Sequence, residues 1–282
     1  MSVRELTIST RYLDFAALEF GDPKGKPVLA LHGWMDNAAS FIPVAEHLQG
    51  IRLIAIDLAG HGLSDHRPKR WSYDIWHYVE DLVDIVVSLK LNSFGLIGHS
   101  MGAVICTMAA ATVLKKQVSA MVLIDGLSPT PRLPSEAPKS LELYITQRQM
   151  DMDSFSVPRY RTIKQAIRAR AIGQYKVSRE AAELLVTRGL CQQGEEWLWR
   201  SDYRLKLASP ARFTREQSLA FIHSVECPTQ MIYAENGELR DVIADNQDEM
   251  PNIAFHPLSG THHLHMDGQV DKVASIANAA LS

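Results

Sequence analysis

The 282-residue chain predicts an α/β fold: a mostly parallel β-sheet flanked by helices, with a helical cap inserted into it. Three observations lead there. Short continuous runs of Val, Ile, Leu and Ala recur at Pro27–His32, Ile51–Leu58, Ser93–His99 and Val118–Asp125. Strands apolar on both faces belong to parallel sheets covered by helices on each side. That pattern stops at Gly126, gives way to a Pro-rich linker and charged amphipathic stretches, and resumes only at Thr229.

The elements follow in order. Thr7–Phe20, broken by polar residues and closed by Gly21-Asp22-Pro23, reads as an initial β-hairpin. The strand at Pro27–His32 is followed by a helix near Ser40–Leu48. After the strand at Ile51–Leu58, Tyr73–Leu89 predicts a helix: Ile75, Val79, Leu82, Val83, Val86 and Leu89 recur at three- and four-residue steps. Ser93–His99 precedes a compact helix-compatible run, Ala103–Ala111. Pro129, Pro131, Pro134 and Pro138 then crowd a linker before helices at Ser140–Met150, Thr162–Ala171 and Arg179–Arg188, with no strand-like run between them. Strands at Thr229–Ala234 and Ile253–Leu258 and a helix at Val270–Leu281 complete the sheet. Residues 1–126 and 216–282 are thus expected to form the core, and 127–215 a helical cap inserted after the sixth strand.

Bulk properties exclude several classes. A hydrophobic share of 46% supports a substantial core, and a net charge of −3 gives no electrostatic case for nucleic acid or an acidic membrane as partner. Cys106, Cys191 and Cys227 are odd in number and widely spaced, which fits reduced thiols rather than a disulfide framework or a zinc site. No apolar run is long enough to span a bilayer, and Met1–Leu6 lacks an apolar signal core. The expectation is a cytoplasmic monomer or homodimer that needs no cofactor and no metal.

The chemistry centres on Gly98-His99-Ser100-Met101-Gly102, between strand and helix. A serine with glycines at i−2 and i+2 on such a turn is a nucleophile elbow: the turn is tight, Ser100 is strained, and its hydroxyl stands beside a helix N-terminus. A serine nucleophile needs a base, an orienting acid and oxyanion donors. His262, in Gly260-Thr261-His262-His263-Leu264-His265-Met266-Asp267, is the expected base, with His265 and Asp267 beginning the last helix. Three histidines in four residues also suggest a metal site, but no Cys or carboxylate cluster completes it. The acid stays open. The loop after Thr229–Ala234 has Gly237 where aspartate is expected; Glu235, Glu238 and Asp241 lie nearby, and Asp125, one strand beyond the nucleophile, is favoured over Glu238 or Asp241. The backbone amides of Trp34 and Met101 are the expected oxyanion hole. His32 and His99 are read as structural, and Asp57-Leu58-Ala59-Gly60-His61-Gly62-Leu63-Ser64 as architecture.

These blocks resemble the α/β-hydrolase superfamily over nearly the whole chain, through His32-Gly33-Trp34, Asp57–Ser64, Gly98–Gly102 and Gly260-Thr261-His262. Within it, Arg179–Leu190 and Arg200–Lys206 are similar to the serine hydrolase-like proteins. The resemblance implies a hydrolase, and Ser100 argues against the aspartate-nucleophile dehalogenases and epoxide hydrolases of the same fold. A serine esterase for small to medium acyl chains is the leading expectation. Thioester or carbon–carbon bond hydrolysis with the same triad, and a non-catalytic ligand receptor, are the rivals. Tyr144, Phe155, Trp197, Trp199 and Tyr203 are candidate acyl-pocket residues of the cap.

Overall fold

A computed structural model describes residues 3–150, 158–247 and 250–282. Its centre is an eight-stranded sheet in the order β1-β2-β4-β3-β5-β6-β10-β11. The strands are β1 (Arg4–Ser9), β2 (Asp14–Gly21), β3 (Lys26–Leu31), β4 (Ile51–Ile56), β5 (Phe94–His99), β6 (Val118–Ile124), β10 (Thr229–Ala234) and β11 (Ile253–Leu258). The β1–β2 and β2–β4 pairs are antiparallel, as a hairpin and its return require. The other five pairs are parallel.

Helices cover both faces, so the inner strands are apolar throughout rather than alternating. One layer holds α2 (Ile75–Ser88), α3 (Met101–Ala111) and α7 (Arg215–His223), with Tyr78, Leu82, Ile105 and Ile222 in its core. On the other face are α1 (Ile42–Ala45) and α9 (Val270–Leu281), where Phe41, Val44, Val273 and Leu281 are buried. The expected helix at Ser40–Leu48 is shorter than its sequence suggests: a 3₁₀ turn at Ala38–Phe41 runs into the single turn of α1, with Pro43 in its first turn. Wedged between strands and α2, α3 buries almost its whole circumference, which explains its run of Ala, Ile, Cys and Met.

The stretch between β6 and β10 carries α4 (Ala137–Gln149), α5 (Ile163–Ala171) and α6 (Arg179–Gly189). The expectation of helices alone is corrected here. A three-stranded antiparallel sheet, β7 (Arg159–Tyr160), β9 (Glu196–Trp199) and β8 (Leu190–Gln193), accompanies them. Its strands have two to four residues and a polar hairpin turning at Gly194 with φ 61°, too short for a period-two signal to emerge. This segment has its own small core of Ala166, Ala182, Leu185 and Val186, closed against Met266. Helices α7 and α8 (Leu239–Asn246) were also not anticipated; Thr214 starts α7 with a capping box to Gln217.

Asp57 and Arg188 lock the segment to the sheet. Asp57, fully buried at the end of β4, accepts from the amides of Ala38 (2.7 Å) and Leu63 (2.8 Å) and from Arg188 Nε of α6 (2.9 and 3.0 Å). Arg188 reaches on to Glu5 of β1 at 2.7 Å. The glycine-rich block around Asp57 is architectural, and its carboxylate is the anchor.

Candidate active site

Ser100 stands between β5 and α3 with φ 51° and ψ −115°, a strained conformation for a residue with a side chain. The flanking glycines make it possible. A Cβ at Gly102 would stand 1.9 Å from the Leu31 carbonyl oxygen, and one at Gly98 2.5 Å from Ala103 Cα. Ser100's amide donates to the Ile124 carbonyl at 2.9 Å, pinning the elbow to β6.

Asp125 follows β6 directly and also has positive φ, 45°. One carboxylate oxygen accepts from the Ala234 amide at 3.0 Å; the other lies 2.6 Å from His262 Nδ1. Ser100, Asp125 and His262 share the wall of a cavity of about 940 Å³. Gly237 sits against the same place, since a Cβ there would lie 3.7 Å from Asp125 Oδ1. The Asp125 carboxylate therefore occupies ground that a side chain at 237 would share. Among the alternatives, Glu238 lines the cavity, while Asp241 is turned to solvent and pairs with Arg240 at 2.8 Å.

Trp34 and Met101 line the cavity beside Ser100. Met101 is the first residue of α3, where the helix offers its N–H no acceptor. In the Trp34 loop the next amide, Met35, donates to His61 Nε2 at 3.3 Å. The indole of Trp34 is fixed by a 3.0 Å bond to the Leu205 carbonyl.

The three neighbouring histidines separate. His262 faces the cavity, His263 Nε2 donates to Asp36 at 3.0 Å, and His265 is buried against Phe41 and His99 with neither ring nitrogen bonded among the described residues. His265 and Asp267 lie in the turn before α9 rather than in it; Asp267 accepts from the Ser178 amide at 2.8 Å, which holds that turn to the start of α6. Behind the cavity His99 Nε2 donates to the His262 backbone carbonyl at 3.0 Å, tying the elbow to the histidine loop. Two features had no local sequence signal. Tyr175 stacks on His262 with ring centroids 4.5 Å apart, and Arg170 donates to Asp36 at 2.7 Å. Burial alone would raise the Asp36 carboxyl, but His263 and Arg170 hold it far below the ordinary range.

Asp36, His99 and His263 are the only group among the described residues whose donor atoms lie close enough to share a metal, within 4.8 Å. Arg170 already supplies positive charge to Asp36 there, so the group reads as a fixed scaffold beneath His262. Of the candidate pocket residues of the cap, Tyr144 lines the cavity. Trp197 and Trp199, two apart on β9, pack on the inserted segment's own core, and Tyr203 borders a separate cavity; these assignments to an acyl pocket are corrected. Phe155 lies outside the described residues.

Burial also sets an acid limit on the fold. Desolvation lowers His32 to about 4, and His61 and His265 to about 3. These groups stay neutral in the fold, whereas the unfolded chain begins to protonate them near 6.5. Their stabilisation is complete above about 6.5 and is lost as pH falls toward 4 and 3, at about 1.4 kcal/mol per histidine per pH unit. The urea midpoint is expected to hold above about pH 6.5 and to fall from there to pH 5; a midpoint equal at pH 7.5 and pH 5 would contradict these burials.

An α/β sheet with a strained serine at a strand-to-helix turn defines an α/β-hydrolase, and the family model for the alpha/beta hydrolase fold matches residues 26–268. The chain belongs to that family. It is similar to a Pseudomonas aeruginosa PAO1 protein of solved structure, the hypothetical protein PA1622, at 40% identity over 98% of this chain and 99% of that one, with a TM-score of 0.93. It is 28% identical to the zebrafish (Danio rerio) serine hydrolase-like protein, over 95% of this chain and 89% of its relative. The thioesterase domain of the curacin biosynthetic pathway shares the fold, with a TM-score of 0.83 and 24% identity, covering 98% and 99% of the two chains.

Proposed function

We propose that this protein is a serine hydrolase that cleaves carboxylic esters of small to medium acyl chain through an acyl-enzyme. Ser100 attacks the acyl carbon as His262 takes its proton, and Asp125 holds the imidazole tautomer and stabilises the imidazolium. The amides of Trp34 and Met101 receive the oxyanion, with the α3 N-terminus adding favourable potential. His262 then delivers its proton to the leaving alcohol and activates water to release the acid. The inserted segment, residues 127–215, roofs the site as a cap and sets substrate choice.

One observation carries the reading: the 2.6 Å Asp125–His262 contact shares a cavity wall with a serine held at φ 51°. A carboxylate bonded to Nδ1 leaves Nε2 as the free nitrogen, as a base for Ser100 requires. The test is hydrolysis of p-nitrophenyl butyrate by the wild type, Ser100→Ala and His262→Ala, with circular dichroism on each. Both variants are expected to fold and to lose at least about 10³-fold in kcat. Turnover retained by folded Ser100→Ala would overturn the assignment.

A further inference from the structure

The wall of the catalytic cavity carries Arg132, Arg148, Lys206 and Arg212, on a chain whose net charge is −3. Two hydrogen bonds bring the chain segments that carry them together in pairs. The Arg132 amide donates to the Phe213 carbonyl at 2.9 Å, which brings Arg132 beside Arg212. The Ala208 amide donates to Gln147 Oε1 at 2.7 Å, which draws the Lys206 segment onto α4 next to Arg148. Arg148 is positioned further by its bond to the Arg70 carbonyl (2.9 Å) and by Tyr144, whose ring centroid lies 5.4 Å from its guanidinium carbon.

These cations differ from the others nearby. Arg204, in the same wall, is neutralised by Asp202, with contacts down to 2.5 Å, and buried Arg67 by Asp81 at 2.5 Å. Among the described residues Arg132, Arg148, Lys206 and Arg212 form no ion pair. The acids of the wall stand elsewhere: Asp125 is engaged by His262, Asp74 is bonded by Ser72, and Glu238 lies in the loop after β10. Arg132, Lys206 and Arg212 are exposed and Arg148 is half-buried, so a ligand in the cavity can reach them, and guanidinium forks match the geometry of carboxylate and phosphate.

We infer that this wall is an anion subsite: the substrate is an acyl ester or thioester bearing a carboxylate or phosphate group away from the scissile bond. The inference rests on the serine-hydrolase reading and narrows it. Carboxylate on the acyl chain and phosphate on the leaving group are two sources of the same charge. p-Nitrophenyl hemiglutarate carries the first, butyryl-CoA the second, and p-nitrophenyl butyrate and butyryl-pantetheine are their neutral counterparts.

The expected result is a higher kcat/KM for at least one anionic substrate than for its neutral counterpart. That preference should fall about tenfold in the Arg132→Gln, Arg212→Gln double variant or in the Arg148→Gln, Lys206→Gln one, and should shrink when salt rises from about 0.05 to 0.5 M. Which substrate responds identifies the source. No anionic preference in the wild type, or a preference untouched by both double variants, would overturn the inference. Calorimetric titration of Ser100→Ala with the same four compounds separates it from the catalytic reading. Anion-dependent binding without turnover by the wild type would refute the hydrolase and leave the subsite standing; turnover without anion-dependent binding would do the reverse.

Discussion

Replacing Asp125 with asparagine is expected to lower kcat by about 10³–10⁴-fold while leaving the fold intact. Asparagine keeps an acceptor for the Ala234 amide and tolerates the positive φ at this position. What it loses is the charge that faces His262 Nδ1, and with it the imidazole tautomer that leaves Nε2 free to act as base. The same geometry predicts a rescue. Gly237 borders the Asp125 carboxylate, and Gly at 125 suits φ 45° better than any other residue. Exchanging the two, Asp125→Gly with Gly237→Asp, should therefore recover at least about tenfold in kcat over Asp125→Gly alone. The new side chain must pass the Ala234 carbonyl oxygen, 3.1 Å from its Cβ, so recovery falls short of the wild type. Equal activity of Asp125→Asn and wild type would remove Asp125 from the triad and return attention to Glu238. Steady-state rates on one aryl ester measure all four proteins.

The largest effect on stability is expected at Asp57. Asp57→Ala leaves the amides of Ala38 and Leu63 and the guanidinium of Arg188 without their shared acceptor inside the protein. Removing one partner of a buried ion pair costs about 3–5 kcal/mol, because the remaining charge stays desolvated. For a chain of this length that corresponds to a fall in Tm of about 10 °C. Arg188 retains Glu5, but Glu5 is largely exposed and screened by solvent, so it compensates little. The double variant Asp57→Ala, Arg188→Met should be less destabilised than the sum of its single changes, since the stranded charge is gone. Scanning calorimetry on the set decides this. A Tm within about 2 °C of wild type for Asp57→Ala would show that the clamp contributes little to holding the inserted segment.

Much of the sheet was legible because buried parallel strands announce themselves as uninterrupted apolar runs. β10, β11 and α9 fall on the expected residues, and the alternation of strand and helix defines the layers. The inserted segment was harder to read. β7, β8 and β9 are too short for a period to register. In the core, α7 and α8 are helices of only nine and eight residues, α7 with a weak apolar stripe and α8 polar on average. Around the serine, the turn was legible as five adjacent residues. The surroundings of His262 were not: Asp36 meets His263 across 227 positions and Arg170 across 134, and Tyr175 arrives from the inserted segment. Such contacts leave no local pattern. Gly237 leaves its loop without a side-chain carboxylate at that position, and Asp125, after the adjacent strand, lies 2.6 Å from His262 Nδ1.

The central claim is that Ser100 is an activated nucleophile, and labelling with a fluorophosphonate tests it most directly. Intact-mass analysis followed by peptide mapping should find one phosphonyl adduct on Ser100 of the full-length wild type. The adduct should be absent from Ser100→Ala and from His262→Ala, both shown to be folded. A folded wild type that stays unlabelled, or an adduct on any other residue, would contradict the account.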